Sequence, residues 1–198
     1  MKFTNYPNIY ALVLLVLLAA CSNSGSGYSA LARKEMASGV IKDSLLFNLK
    51  LGQSKEFFLQ ACWQLNQKGI ISEGPGSRTV KYELPNQEGN NEPTGMTLLF
   101  FGDFNDENIM TGMDMSFYYN AWSIWNKSLQ ADQLLPVVRD TLMKWYPGNN
   151  FIKVPLSQDG PPLLVKVDGN RRIIIKPLED NRMVNVKIDD LRYVLDAR

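Results

Sequence analysis

Side chains able to bind or react are concentrated in a few places along the chain. The densest group is Asp103, Asn105, Asp106 and Glu107, with Asp114 beyond them. Oxygen ligands at alternate positions suggest a calcium loop, but such a loop needs glycine at its sixth position and glutamate at its twelfth. Counted from Asp103, those places hold Asn108 and Asp114, so a solvated hairpin turn is the plainer reading. Paired carboxylates also hydrolyse glycosidic bonds when a set separation holds them across a cleft. Asp103 with Asp114, or Asp189 with Asp190, has the right groups, but sequence alone carries no separation. The chain has no histidine, which removes the commonest general base, the commonest metal ligand and every triad built on it. Its two cysteines, Cys21 and Cys62, are too few for a zinc site or a disulfide framework. Cys62 falls in an apolar helical pattern and reads as simply buried. These residue types point away from an enzyme and call for no metal or cofactor.

Binding chemistry is better represented. Tyr118, Tyr119, Trp122, Trp125, Trp145 and Tyr146 form an aromatic series, and exposed rings anchor protein interfaces or stack on sugars. Most rings in a domain of this size belong to the core. Trp122 and Trp125 are the least easily buried, because they sit in a connection and not on a periodic face; with Tyr118 they are candidate partner-binding residues. Arg171 and Arg172 stand beside a hairpin and have the groups to receive a carboxylate, or else to protect an edge strand with charge. Acidic and basic residues balance at 20 and 21, for a formal net charge of +1. No basic footprint of the kind that grips phosphates is present, and a nucleic-acid partner is not expected.

The elements that must position these groups follow from periodicity. Residues 28–43 mix apolar and charged positions and read as linker or frayed helix. Leu45, Phe47, Leu49 and Leu51 alternate with mostly polar neighbours, as a strand does. Ser54 is placed to cap a helix with Glu56 in its first turn. Phe57, Phe58, Ala61, Cys62 and Leu65 supply the apolar face, and Gly69 stops it. Strands are expected over 80–84, 96–101 and 109–119, the last being the clearest. Asp132 is placed to cap a second helix whose face is Leu134, Leu135, Val138, Leu142 and Trp145, with Pro136 tolerated in its first turn. Four strands then follow over 151–154, 163–167, 171–176 and 183–195, the last with a break at Asp189-Asp190. Asp168-Gly169 between the middle two is a hairpin signal. The expected class is α+β, with helices packed on antiparallel sheet. Residues 98–119 can be laid beside 173–194, and this suggests two tandem α-β-β-β units over 45–121 and 122–198.

The N-terminal stretch carries a different signal. Lys2 precedes the apolar run 11–18, and Leu18-Ala19-Ala20-Cys21 is followed by the small polar residues 22–27. The run is short for a membrane span, which takes about 20 apolar residues, but suits a secretory signal with a small-residue cleavage site. The motif resembles the lipobox of bacterial lipoproteins. That resemblance implies a signal peptide over 1–20, a diacylglycerol on the thiol of Cys21, and a flexible tether over 21–44. An ordinary secreted protein whose cysteine happens to lie near the cleavage site is the alternative. Ser22, in place of Asp, implies sorting to the outer membrane of a Gram-negative envelope.

Leu51-Gly52-Gln53-Ser54-Lys55-Glu56-Phe57-Phe58-Leu59 resembles the start of the first helix in periplasmic lipoproteins of the SmpA/OmlA kind, and in β-lactamase-inhibitor-protein-like repeats. The chain as a whole is similar to anchored lipoproteins of Bacteroides-type bacteria. These likenesses imply a non-catalytic lipoprotein that binds a protein or serves envelope assembly, held to the membrane through Cys21. The alternative is a carbohydrate or peptidoglycan binder that uses its exposed aromatics. Sequence names neither the partner nor an oligomeric state.

Overall fold

The computed structural model describes residues 26–85, 95–157 and 160–196. Its helices are α1 (Ser26–Ala37), α2 (Lys55–Gln67), α3 (Ala131–Trp145) and α4 (Leu191–Asp196). The strands are β1 (Ser72–Glu73), β2 (Val80–Glu83), β3 (Met96–Phe104), β4 (Met110–Tyr119), β5 (Ile152–Val154), β6 (Leu163–Asp168), β7 (Arg171–Ile175) and β8 (Val184–Asp190). The described residues build an eight-stranded sheet in the order β1-β2-β3-β4-β8-β7-β6-β5. Every neighbouring pair is antiparallel. The expected α+β class is therefore what the chain adopts.

The central join is β4 on β8, in register from Gly112↔Asp189 to Phe117↔Val184. Alternation sends Met113, Met115 and Phe117 to one face together with Val184, Val186 and Ile188, all at most 2% exposed. Leu134, Val138 and Leu142 of α3 join them in one core, each burial contributing about 1.5–3 kcal/mol. Ser54 caps α2 as expected, its hydroxyl accepting the Phe57 amide at 3.3 Å. Phe58 then packs edge-on against Phe101 and Phe104. Gly69 closes α2 at φ +67°, with the Ile70 amide reaching back to the Leu65 carbonyl. The Asp168-Gly169 turn also forms: β6 and β7 pair up to Asp168↔Arg171, with Gly169 at φ +56°.

Several expectations change. Residues 45–51 are no strand. A tight turn over Leu46–Asn48, with Phe47 and Asn48 at positive φ, folds them into a closed loop. A single Ser44↔Lys50 bridge and the Leu51 amide on the Asp43 carbonyl close that loop. Leu45, Leu49 and Leu51 are still buried, because the turn delivers alternate leucines to the core much as a strand would. α3 begins at Ala131 after Gln130; Asp132 lies in its first turn and does not cap it. The Ala131 amide instead donates to the Asn181 carbonyl. The final strand ends at Asp190, and the chain turns into α4.

The largest difference lies between 26 and 44. Sequence placed this stretch in the tether, yet α1 packs on the opposite face of the sheet from α3. Ala32, Leu31 and Met36 meet Val165, Val167 and Ile174 there. Glu35 ties α1 down: its carboxylate accepts the Gly169 amide and the Asn149 side-chain amide, both at 2.9 Å. The strap that follows is pinned by the Lys42 amide on Asn170 (2.6 Å) and by Arg192 on Asp43 (2.7 Å).

Candidate functional site

α1 covers only the β5–β7 share of its face and leaves the β4–β8 seam open. Along that seam β4 presents Asp114, Ser116 and Tyr118 at alternate positions, and β8 presents Asn185, Lys187 and Asp189. Register sets Asp114 across from Lys187 and Ser116 across from Asn185. The Ser116 hydroxyl donates to the Asn185 side-chain Oδ1 at 2.8 Å. A polar row thus runs the length of the join.

One end of the row is a charged groove of about 520 Å³. Lys187 Nζ donates to Asp103 Oδ2 at 2.6 Å and lies 3.9 Å from both Asp114 and Asp189. Arg172 grips Asp189 Oδ2 through Nε (3.0 Å) and Nη2 (2.6 Å), and its Nη1 donates to the Tyr28 hydroxyl at 2.6 Å. Burial works against the charge of Lys187, but the Asp103 hydrogen bond and the facing carboxylates outweigh it and raise its pKa. Arg172 behaves alike: burial opposes its charge, while Tyr28 and Asp189 hold it protonated. These ion pairs line the groove together with Asn105, Thr111, Ile174, Tyr193 and Val194.

The other end is aromatic. The Arg182 guanidinium stands 5.5 Å from the ring centroids of both Tyr118 and Trp122, a cation–π arrangement. The Trp122 indole donates to the Asn181 carbonyl at 2.9 Å. Asp180 shapes this turn by accepting the Met183 and Arg182 amides, and the two bonds hold its pKa below the ordinary value. Next to the cluster in the chain, Trp125 is 87% exposed and Ile124 is 56% exposed.

The candidate residues separate accordingly. Tyr118 and Trp122 are brought together, with Arg182 as the member that sequence reading missed; nothing local marks it, because its partners lie some 60 residues earlier. Trp125 stands free of any ring partner among the described residues. Arg171 is 4% exposed, stacked 4.6 Å over Tyr146 and donating to the Ser44 carbonyl at 2.9 Å, so it braces the core. Arg172 is taken up by Asp189 and Tyr28. The edge-strand reading of this pair fails too, since β7 lies between β6 and β8. Asp103 and Asp114, the imagined carboxylate pair, both face Lys187. Asp189 and Asp190 diverge: the former faces the groove, while the latter is buried and paired with Arg192 at 2.6 Å. Asn105 spends its side chain on the Ile109 and Glu107 amides of its own hairpin turn. Among the described residues no three Cys, Asp or Glu side chains are grouped as a metal site would require. Cys62 is half-buried, and burial pushes its thiol up to about 11. Cys21 lies outside the described residues.

Fold and site define an α+β protein with an antiparallel sheet and one polar, partly open sheet face. No protein-family model, no curated protein and no solved structure matches the chain.

Proposed function

We propose that this is a non-catalytic envelope lipoprotein, anchored through Cys21, that binds a protein partner at the aromatic end of the β4–β8 seam. The observation that carries the reading is Arg182 held between Tyr118 and Trp122, beside an almost fully exposed Trp125. Trp, Tyr and Arg are the residues that dominate binding energy at protein interfaces. The ion pairs in the groove support a binding role over a catalytic one, because Lys187 and Arg172 already engage its carboxylates. The order of elements supports reading the halves as two copies of one unit, a helix followed by a strand meander, joined through their last strands. That reading keeps the likeness to SmpA/OmlA-like and β-lactamase-inhibitor-protein-like modules.

A photo-crosslinking residue placed at 125 in cells tests the proposal. A discrete protein adduct is expected, weakened at least tenfold by Trp122→Ala with Arg182→Ala. No adduct, or one indifferent to those changes, would remove the reading. The Ser116–Asn185 row leading away from the rings favours a saccharide as the second reading, since sugars need a ring platform beside hydrogen-bonding groups. Glycan binding lost on Trp122→Ala/Trp125→Ala would identify it.

A further inference from the structure

We infer that the outward side of α1 and the strap after it, residues 29–42, is laid against an anionic lipid bilayer, and that the charged groove opens toward that bilayer. The inference rests on the anchoring of Cys21 proposed above, and begins from how little chain separates anchor and fold. Read from sequence, the tether spanned 21–44, long enough to hold the domain well away from a membrane. In the structure α1 starts at Ser26 and is fastened by Tyr28 on Arg172 and by Glu35 on Gly169 and Asn149. Four residues lie between Cys21 and Ser26, and the five steps from one to the other, at 3.3–3.6 Å each, span at most about 18 Å. The face on which α1 lies therefore stays close to the lipid that Cys21 carries.

The surface presented there has the chemistry for it. Arg33, Lys34 and Lys42 are all exposed. The stretch has one acidic residue, Glu35, whose carboxylate is turned inward onto the hairpin. Val40 and Ile41, at 47% and 62% exposed, stand between Lys34 and Lys42. Cations flanking a small exposed apolar step match the headgroup boundary of a bilayer that carries anionic lipid. The groove lined by Asp103, Arg172, Lys187 and Asp189 opens on this same side of the sheet, next to the start of α1.

The test uses residues 21–198 with Cys21→Ser, so that no acyl chain contributes. Flotation is run with vesicles of phosphatidylcholine alone and of phosphatidylcholine mixed with phosphatidylglycerol. Cations near an anionic surface add roughly fivefold each, so at least tenfold stronger binding to the mixed vesicles is expected. Arg33→Glu/Lys34→Glu/Lys42→Glu should abolish that preference, and vesicles should slow hydrogen exchange at residues 39–42. These side chains are exposed, so an unchanged unfolding midpoint shows that the variant still folds. Equal binding to both vesicles, an indifferent triple variant, or protection at the exposed Phe57 and Trp63 of α2 would each overturn the inference. Mass spectrometry of the native N-terminus reports on acylation separately. An unmodified Cys21 would sink the anchor, while the vesicle arms alone decide the surface.

Discussion

Lys166 is fully buried in the middle of β6, its ammonium 2.7 Å from Asp168 Oδ2 and donating to the Asn149 carbonyl. Asp168 also accepts the Asn149 amide at 2.7 Å. The backbone comes that close only because residue 148 is glycine: at φ +145°, a Cβ there would run into the Asp168 carboxylate. A lysine inside an alternating strand ordinarily marks the solvent face, and only the register of β6 against β7 shows it pointing inward. Removing one member of such a pair strands the other's charge, at about 3–5 kcal/mol. Asp168→Ala is expected to lose that much in urea unfolding. Lys166→Met with Asp168→Leu should recover only part of it, because Arg171, 3.9 Å from Asp168, loses that carboxylate and the Asn149 amide loses its acceptor.

α1 shows how an element with a weak pattern is secured by contacts elsewhere. Its apolar residues are too irregular to announce a face, and Glu35 carries much of the docking. The Gly169 amide, and then Asn149, hold its carboxyl below the ordinary 4.5. A group whose folded pKa is depressed contributes stability above its unfolded value and loses it as pH falls through the folded value. Docking of α1 is therefore expected to weaken below about pH 4.5, seen as faster hydrogen exchange over 26–37 while β4 and β8 keep their protection. Glu35→Gln should flatten that pH dependence and leave α1 less protected at neutral pH. The loop at 45–51 makes the converse point. Its alternation was strand-like, but Phe47 at φ 57° stacks on Phe100 and meets Tyr82 edge-on, so packing chose a turn.

The whole molecule is organised by the β4–β8 join. Each half taken alone would expose its last strand as a long unpaired edge, and the core runs unbroken across the join from Phe100 through Met115 and Val186 to Ile173. One cooperative transition is expected, with calorimetric and van't Hoff enthalpies in agreement; two resolved transitions would mean that the halves are independent. Val186→Asp, which buries a charge at the centre of the join, should abolish folding of both halves together, read by the loss of near-UV dichroism.

What the sequence determined by itself was local. Helical spacing with a serine cap and a closing glycine set α2, period-two alternation set β4, and Asp-Gly set the β6–β7 turn, because each depends on residues within a few positions of one another. Composition likewise restricted the chemistry, since a chain without histidine must work with carboxylates, cations and rings. Alternation tells which residues share a face of a strand but not which strand lies alongside. Only the tertiary structure, by seating Met113, Met115 and Phe117 against Val184, Val186 and Ile188 under α3, set the register that brings Lys187 to Asp103. It also brought Arg182 to Tyr118 and Trp122, and Glu35 to Gly169. Contacts across 60 to 134 residues leave no local trace, because they are set by which apolar faces pack together, and the polar groups on the opposite face follow that choice.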